Sequence, residues 1–576
     1  MTKSNKKTLI IAILSAIAVV CIIVCILLAR RYMPSRHEMP LDKYFEVGEG
    51  QVQIILQDEM YETKGIYVDN QIYVDFNLVH DYLNPRFYWD AKENLLLYTT
   101  PTAVISASTG SNDYFRNKSK ESKEYPIVRV DGETAYIALD YVKDFSAMEY
   151  KKYDNPDRVV ITYRYNEESD YAKAKAKAKI RYDRSIKSDI LVKLKEGAQV
   201  RVLEQGNTSS SETDKAAAAF DKVMSEDGVI GYIRKKDIGK IYQSAYKTDF
   251  KEDTYSHILK DGKINLVWHQ VTTSAANDGV MNLLNATKGV DVVAPTWFTV
   301  SGNKGEITSI ASDTYVSRAR SLGVEVWAVC NDFSSDSKIG KVLGQTTPRQ
   351  KLEKNLIAEA IKFSLDGINI DFEYVKKANG DDFIQFIREL GIMCRNNGIV
   401  LSIDNYPPTS YSSYYNRAEQ AAVADYVITM AYDEHYAGSK EAGPVSSLKY
   451  VQDATANTLK EVPKEQTIIA LPFYSRLWKE TTKEGEAKLS SEAYGMTTAK
   501  STMTDAGADF AWDDATGMNY AEYTSGGVTY KMWLEDQASL EEKMKAATDK
   551  KVAGTAFWKL GLEDSSVWDM IIKYSN

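Results

Sequence analysis

From Ile264 onward the sequence alternates between short apolar runs and stretches with helical periodicity. The apolar runs are INLVWHQ, VDVVAPTWF, VEVWAVCND, DGINIDFE, VLSIDNYP, DYVITMAYDEH, IIALPFYSRLW and VAGTAFWKLG. Helical stretches such as LEKNLIAEAIKFSL and DDFIQFIRELGIMCRNNG separate them. Apolar runs that alternate with amphipathic helices are typical of a parallel sheet. Eight such units in about 310 residues predict a closed (β/α)8 barrel.

The longest interval between predicted strands lies before the eighth, from about Thr481 to Glu541. It contains YAEYTSGGVTYKMWLED, whose alternating pattern predicts strands, and we expect an inserted α+β lobe at about 481–541. Barrel active sites lie at the carboxyl ends of the strands, so the chemistry is sought there.

Residues 40–165 contain a weak internal duplication. IYVDNQIYVDFNLVHDYL (66–83) and VRVDGETAYIALDYVKDF (128–145) share a V-D pair, a turn, a Tyr-plus-aliphatic pair and V-x-D. Each copy predicts two short strands, a small helix and a hairpin. The region resembles the stalk-like domain, related to the amine-oxidase N-terminal module, of anchored Gram-positive surface proteins.

Residues 175–242 show short alternating strands with frequent turn signals, which predict a small β-barrel. This region resembles a bacterial SH3 domain. The matching residues are Arg181, Ser185, Gly231, Tyr232 and Ile233. The usual ligand of that family is the peptidoglycan stem peptide, but many copies are spacers, and both roles stay open here.

Leu9 to Ala29 is a run of 21 residues without a charge, and a helix of that length spans about 30 Å, the thickness of a bilayer core. A cleaved signal peptide is the alternative, but cleavage after Ala16-Ile17-Ala18 would leave a second apolar stretch behind. We expect an uncleaved transmembrane anchor at 9–29, with residues 1–8 cytoplasmic and the rest outside the cell membrane.

The part of the chain after the apolar run is acidic. Six of the 71 basic residues and none of the 80 acidic ones precede His37, so the remainder carries a net charge of −15. This balance argues against nucleic acid as a partner. Cys330 and Cys394 make no disulfide framework, and we expect buried thiols.

The run DGINIDFE (366–373) carries the chemistry. Because strand side chains alternate between faces, Asn369, Asp371 and Glu373 point the same way and Asp366 points the other way. Acidic groups on the inward face of a barrel strand are costly unless they are paired or functional. Glu373 lies at the strand end, where the barrel opens, so we predict a catalytic site here.

DGINIDFE matches the D-x-x-D-x-D-x-E signature of glycoside hydrolase family 18 in all but one position. MAYDEH (430–435) matches its M-x-Y-D motif, LPFYSRLW its Y-x-R pair, and AFW (556–558) its tryptophan at the barrel floor. The resemblance covers residues 258–576. Within the family, the sequence pattern is most similar to that of N-acetylglucosaminidases of bacterial cell and spore walls. The departure is Asn369, where the family has its central aspartate.

The resemblance implies substrate-assisted, retaining catalysis, in which the substrate's own 2-acetamido group is the nucleophile. Glu373 is then the general acid, and Asp371 accepts the acetamide N–H. Tyr432 bonds the acetamide oxygen, Asp433 supports the distorted sugar, and Trp558 is the apolar floor. The resemblance calls for no metal and no cofactor.

Six residues are implied as substrate contacts, namely Asn369, Met430, Tyr474, Arg476, Trp533 and Trp558. We expect Asn369 to donate to Asp371. With no like charge beside it, Asp371 should stay ionised over a wider pH range. Weaker candidates for subsite walls are Trp268, Trp297, Asn405, Tyr406 and Trp478.

Together these features predict a membrane-anchored extracytoplasmic hydrolase that cuts β-linked N-acetylglucosamine glycans, in peptidoglycan or in chitin. A non-catalytic glycan-binding protein on the same barrel is the alternative, although such relatives usually lack the catalytic glutamate. An envelope scaffold that docks partners is a third. Endo or exo cutting, a role in sporulation and the oligomeric state stay open.

Overall fold

The structure is a computed structural model, and it describes residues 3–206, 218–483 and 486–575. The chain groups into two compact units. The first comprises Met1–Phe87, Ala107–Tyr114 and Lys120–Glu252, and the second comprises Tyr88–Ser106, Phe115–Ser119 and Asp253–Asn576. The region predicted as a stalk-like domain at 40–165 therefore contributes residues to both units.

The second unit is built around a closed barrel of eight parallel strands. They are β1 Ile264–His269, β2 Val292–Pro295, β3 Glu325–Asn331, β4 Gly367–Asp371, β5 Val400–Asn405, β6 Tyr426–Met430, β7 Thr467–Pro472 and β8 Gly554–Trp558. Each pairs with its neighbour, and β8 pairs with β1 to close the ring. All eight predicted strands are confirmed.

One helix follows each strand of the barrel. The helices are α1 Val280–Asn285, α2 Asp313–Ser321, α3 Thr346–Lys362, α4 Gly380–Asn396, α5 Arg417–Val423, α6 Leu448–Thr458, α7 Gln537–Thr548 and α8 Val567–Ile571. A short helix, Ile339–Leu343, precedes α3, and a hairpin, Phe298–Ser301 with Glu306–Ser309, follows β2.

Alternation along the strands divides the core into two layers. In β4, Ile368 and Ile370 pack outward with the helices, whereas Asn369 lies inside the barrel. Gly367 also faces inward, where a Cβ atom would meet the Trp327 ring at 2.6 Å, so a side chain is excluded there. Cys330 and Cys394 are buried free thiols, as predicted.

The inserted lobe begins directly after β7, earlier than the predicted start at about 481. Its strands are Tyr474–Lys483, Glu486–Gly495, Ala511–Asp513, Met518–Ser525 and Val528–Leu534, with a helix at Met496–Asp505. The run LPFYSRLW is thus split between two sheets. Both halves are buried, so the hydrophobic pattern carries no sign of the change of direction.

The first unit contains the duplicated region. Its sheet runs in the order Val128–Asp131, Thr134–Ala138, Gln71–Asp75, Gly65–Val68, Gln51–Leu56, Arg158–Thr162 and Glu149–Tyr153, with Glu59–Met60 beside Gln51–Leu56. Short helical segments are Leu41–Phe45, Phe76–Leu78, Val79–Leu83 and Leu139–Lys143. Five more strands consist of residues that are divided between the first and the second unit, and they are Phe87–Asp90, Leu95–Thr99, Val104–Ser108, Asp113–Arg116 and Ser119–Ser122. Each copy has the predicted order of two strands, a short helical segment and two strands.

A seven-stranded antiparallel sheet completes the first unit. Its strands are Ser169–Lys173, Lys179–Arg181, Ile190–Lys193, Gln199–Glu204, Phe220–Ser225, Ile230–Arg234 and Tyr242–Ser244, and Lys235–Asp237 forms a helical turn. Gly231 packs against the Arg181 backbone, because a Cβ atom there would lie 2.5 Å from its carbonyl oxygen. The Arg181 side chain donates to the Ser188 carbonyl oxygen at 2.6 Å.

The chain opens with a helix, Lys3–Tyr32. Its segment Lys7–Leu28 has a mean hydropathy of 3.4 and none of it is buried, so by length and composition it is able to cross a membrane. Residues 1 and 2 of the predicted cytoplasmic tail lie outside the described part of the chain.

Helix α3 is capped by residues distant in sequence. Asp90 accepts from the Thr346 backbone N–H at 2.6 Å and from its hydroxyl at 2.8 Å. Glu93 accepts from the backbone N–H and the hydroxyl of Thr347, both at 2.8 Å. Gln345, at the N-cap position itself, makes no capping bond with its side chain. Two carboxylates therefore satisfy the free N–H groups and the positive end of the helix dipole.

We expect Asp90→Ala to lower the free energy of unfolding of the second unit by about 1–2 kcal/mol, because it removes a charged helix cap. Urea unfolding followed by tryptophan fluorescence measures this directly, since all nine tryptophans lie in the second unit. The exposed Asp509→Ala is the control and should change stability by less than about 0.5 kcal/mol. Equal effects of the two variants would contradict the capping role.

Candidate active site

Asn369 is the central side chain at the open end of the barrel. It is fully buried, and its Oδ1 accepts from the Trp268 indole N–H at 2.9 Å. Its Nδ2 donates to the Ser402 hydroxyl at 3.0 Å and to Asp404 Oδ1 at 2.8 Å. These three bonds fix the amide and link strands β1, β4 and β5.

Asp371 and Asp404 lie side by side on β4 and β5. In the register of the two strands, Asn369 lies opposite Ser402 and Ile370 lies opposite Ile403. The next pair is Asp371 opposite Asp404, and both of these side chains point into the barrel. Burial raises the pKa of Asp371 well above its usual range, and the charge of Asp404 raises it further. Burial also raises the pKa of Asp404 well above its usual range, opposed by the Asn369 hydrogen bond. Ionisation of either carboxyl therefore disfavours ionisation of the other.

Asp371 keeps one oxygen unused. Its Oδ1 is buried and has no hydrogen-bond partner among the described residues. A buried acceptor without a partner is costly, by about 1–3 kcal/mol, and is rare outside functional sites. The open end of the barrel thus contains an acceptor available to an N–H donor.

Glu373 lies two residues beyond Asp371, just past the end of β4, and is partly exposed. Burial raises its pKa, an effect that a hydrogen bond donated by the Tyr406 hydroxyl opposes and the charge of Asp433 supports. Asp332, after β3, accepts the backbone N–H groups of Glu373 at 3.0 Å and of Tyr374 at 2.9 Å. Burial raises the pKa of Asp332 to about 6.

The far side of the opening is lined from β6 to β8. Met430 ends β6 and is buried, and Tyr432 follows it, partly buried against the inner core. Asp433 has a φ of 54°, in the left-handed region, and accepts from the Tyr474 hydroxyl. Trp558 ends β8 with its ring 6.1 Å from that of Trp268.

The lobe supplies two further predicted contacts. Arg476, two residues after Tyr474, donates to the Ser491 hydroxyl at 3.0 Å, and its buried Nε has no partner among the described residues. Its positive charge counteracts the rise in the pKa of Tyr474 that burial causes. Trp533 packs on Tyr520 with ring centroids 4.7 Å apart. No contact recorded for the described residues joins Trp533 to Asp371 or Glu373.

Three of the weaker candidates are core residues. Trp297 is buried and donates to Asn277, and Trp478 is buried and donates to the Gly443 carbonyl oxygen. Asn405 exchanges hydrogen bonds with Gln420 on the outer face of β5. Their side chains are satisfied inside the fold and are not available to a ligand.

Two expectations about Asn369 were wrong. Its amide donates to Ser402 and Asp404 and not to Asp371, and a like charge does lie beside Asp371, on the neighbouring strand. The sequence VLSIDNYP carried a sign of this arrangement. Ser402 and Asp404 are two residues apart on one face of their strand, as Asn369 and Asp371 are on theirs. Asp332 was missed because a single aspartate after a strand is common.

Residues 268–563, just over half of the chain, match the model of the glycosyl hydrolases family 18. The chain belongs to glycosyl hydrolase family 18. It is therefore a glycosidase whose closed parallel barrel is the one this family uses, and the matched segment contains every site residue described above.

Relatives with named descriptions are similar to parts of the chain. The uncharacterized glycosylase YvbX of Bacillus subtilis is 26% identical over 47% of this chain and 80% of its own length. The cortical fragment-lytic enzyme of Bacillus anthracis is 24% identical over 42% of this chain and 57% of its own length. The crystal structure of the Bacillus cereus spore cortex-lytic enzyme SleL superposes with a TM-score of 0.50 at 18% identity, covering 58% of this chain and 77% of that one. That similarity shows a shared fold.

We expect Asp404→Asn to stabilise the family 18 barrel at neutral pH. With pKa values raised on folding, Asp371 and Asp404 bind more protons folded than unfolded, so stability falls as pH rises above about 4. Removing one carboxyl while keeping an acceptor for Asn369 should add about 1–2 kcal/mol at pH 7.5 and little at pH 4. Urea unfolding followed by tryptophan fluorescence at both pH values tests this.

Asp366→Asn is the matched control, at an aspartate that directly precedes β4. Asp366 pairs with Arg320 at 2.8 Å and accepts the Val326 backbone N–H at 2.9 Å, so its loss should destabilise the barrel at pH 7.5. An Asp404→Asn variant that loses stability equally at both pH values would show that these two carboxyls do not repel each other.

Proposed function

We propose that this protein is a membrane-anchored, extracytoplasmic enzyme that hydrolyses β-linked N-acetylglucosamine glycans by substrate-assisted, retaining catalysis. One observation carries the proposal. Glu373, a carboxyl with a raised pKa, stands at the open end of the barrel two residues from Asp371, whose buried Oδ1 has no hydrogen-bond partner in the described part of the chain. That pair provides a proton donor and an acceptor for an acetamide N–H.

Glu373 is the general acid. A carboxyl must be protonated to act as an acid, and its raised pKa increases the protonated fraction near neutral pH. The Tyr406 hydroxyl and the Asp332 clamp on the adjacent backbone hold the carboxyl at the opening. From there it gives its proton to the glycosidic oxygen as the bond to the sugar breaks.

Asp371 directs the nucleophile. Its free Oδ1 accepts the N–H of the substrate's 2-acetamido group, and Tyr432 holds the acetamide oxygen, which attacks the anomeric carbon and forms an oxazolinium ring. Asp404 takes the part of the central aspartate that Asn369 replaces. Its charge raises the pKa of Asp371, and the Asn369 amide holds it in place by a hydrogen bond.

The remaining site residues bind the sugar. Trp558 offers a flat apolar surface at the barrel floor, Met430 at the end of β6 adds apolar surface, and Asp433, held by Tyr474, supports the distorted ring. Arg476 and Trp533 on the lobe form a wall further out. In this arrangement every group that bonds substrate comes from a strand end or from the lobe.

Peptidoglycan is the substrate we favour over chitin. The named relatives include a cortical fragment-lytic enzyme and a spore cortex-lytic enzyme, which points to wall glycan. In this proposal the helix at 9–29 anchors the chain, and the stalk-like (40–165) and SH3-like (175–242) regions hold the barrel near the wall. Mass spectrometry of products from purified wall sacculi and from chitin oligomers tests the choice.

We expect Glu373→Gln to lower kcat/KM on natural glycan by about 10²–10⁴-fold, because it removes the transferable proton and keeps the size of the side chain. Activated phenol leaving groups need less protonation to depart, so kcat/KM for substrates that carry them should fall by a smaller factor. Asp371→Asn should impair both kinds of substrate, since the acetamide must be oriented whatever leaves. Steady-state kinetics on both substrates separates the two roles.

Wild-type rates for Glu373→Gln on natural glycan would exclude acid catalysis by this residue and favour the glycan-binding alternative. The mechanism also requires a product of retained anomeric configuration in an early NMR time course. Thiazoline analogues of N-acetylglucosamine should inhibit strongly, because they mimic the oxazolinium ring.

The full-length protein should sediment with membranes, because residues 9–29 are long and apolar enough to span the bilayer. A variant lacking residues 2–36 is the control and should stay in the supernatant. Protease added to cells with permeable walls should digest the large domains. Isolation of a soluble natural form that begins near residue 19 or 30 would disprove the anchor.

A further inference from the structure

A cavity of about 450 Å³ is lined in part by Tyr374, the residue that follows the proposed general acid Glu373. Asp332 and Tyr374 both line it. The Asp332 carboxylate accepts a hydrogen bond from the Tyr374 backbone N–H and so holds the segment after Glu373. The rest of its wall comes from the loops after β3 and β4. The apolar floor residues follow β6 to β8, so the cavity extends the site on the other side of Glu373.

Three lysines line this cavity, and they are Lys338, Lys341 and Lys376. All are exposed, and within the described ranges none of them forms an ion pair with a carboxylate. The one carboxylate in the lining, Asp332, is buried and already accepts two backbone N–H groups. Asp336, in the same loop, accepts from the Ser334 hydroxyl. The cavity therefore carries an excess of positive charge in a chain whose net charge is −9.

Tyr374 in the cavity wall forms a pair of exposed aromatic rings with Phe333. Phe333 is 45% exposed and Tyr374 is 62% exposed, and their ring centroids lie 5.6 Å apart in an edge-on arrangement. Exposed rings next to a concave polar site are typical of ligand-binding surfaces. A sugar ring with an acidic substituent matches such a surface, because its apolar face contacts the rings and its charge meets the ammonium groups.

We propose that this cavity is a subsite for a carboxylate carried by a sugar unit that flanks the cleaved linkage. An alternating polymer of N-acetylglucosamine and N-acetylmuramic acid carries such a group on each lactyl ether, whereas chitin carries none. The subsite makes the enzyme prefer the acidic glycan over the neutral one. This inference rests on the proposed glycosidase function and adds its specificity.

The experiment compares three oligomers of equal length with the full-length protein in detergent. The first contains only N-acetylglucosamine, the second alternates N-acetylglucosamine with N-acetylmuramic acid, and the third is the second with its carboxylates methyl-esterified. The measured quantity is the ratio of kcat/KM for the acidic oligomer to that for the esterified one. The neutral oligomer reports the activity on a glycan that never carried the lactyl group.

Three substitutions made together remove the charge of the cavity, and they are Lys338→Gln, Lys341→Gln and Lys376→Gln. We expect the ratio to fall about tenfold, the combined effect of three partly exposed charge contacts. The control combines Lys550→Gln, Lys551→Gln and Lys573→Gln, exposed lysines at the opposite end of the barrel. It changes the net charge equally and should keep the wild-type ratio.

Salt gives an independent reading. Raising the ionic strength from about 0.05 to about 0.5 M should lower the ratio in the wild-type protein and in the control, because exposed charges are screened. The cavity variant should show little salt dependence. Equal loss in the cavity variant and the control would assign the preference to overall charge and overturn the subsite.

Failure of the subsite and failure of the proposed function look different. An active wild-type protein whose ratio is unchanged in the cavity variant overturns the subsite and leaves the glycosidase proposal intact. A wild-type protein that cuts no oligomer overturns the proposed function. Calorimetric measurement of oligomer binding to Glu373→Gln then tests the subsite alone. Tighter binding of the acidic oligomer than of the esterified one, abolished by the three lysine substitutions, supports the subsite. Equal binding of the two oligomers overturns it.

Discussion

The open end of the barrel depends on the buried amide of Asn369. Its three hydrogen bonds join the indole of β1, the hydroxyl of β5 and the carboxyl of Asp404, so they fix the relative positions of the strands that carry the acids. An amide suits this place because it donates and accepts at once and never titrates. A carboxyl there would put a third acidic group beside Asp371 and Asp404.

The acids at this end act as one group and not as separate residues. Asp332, Asp371, Glu373 and Asp404 each have a raised pKa, and burial is the first cause in every case. The low dielectric of the interior strengthens their mutual repulsion, so the protons are distributed among the four carboxyls. The same desolvation that makes the cluster costly raises the pKa of Glu373, which favours the protonated form that the proposed mechanism requires.

The sequence was sufficient for the barrel because strand periodicity and apolar runs report burial directly. It was also sufficient to group Asn369, Asp371 and Glu373 on one face, since alternation within a strand is local. Pairing between strands is not local. The contact of Asn369 with Asp404 depends on the register of β4 against β5, and the lobe boundary depends on a bend at Phe473 between two equally buried runs. Neither leaves a mark in the hydrophobic pattern.

The cap on helix α3 bears on how the barrel is made. Asp90 and Glu93 leave the ribosome roughly 250 residues before Thr346. At a synthesis rate of about 5–20 residues per second, the two carboxylates exist for about 10–50 s before the helix that they cap. During that time neither carboxylate has its partner in helix α3, and both hydrogen-bond to the start of that helix only after it emerges. An excised fragment of residues 258–576 would lack both groups and begin α3 with bare N–H groups. A catalytic piece cut for crystallisation or engineering should therefore retain the hairpin of residues 88–106.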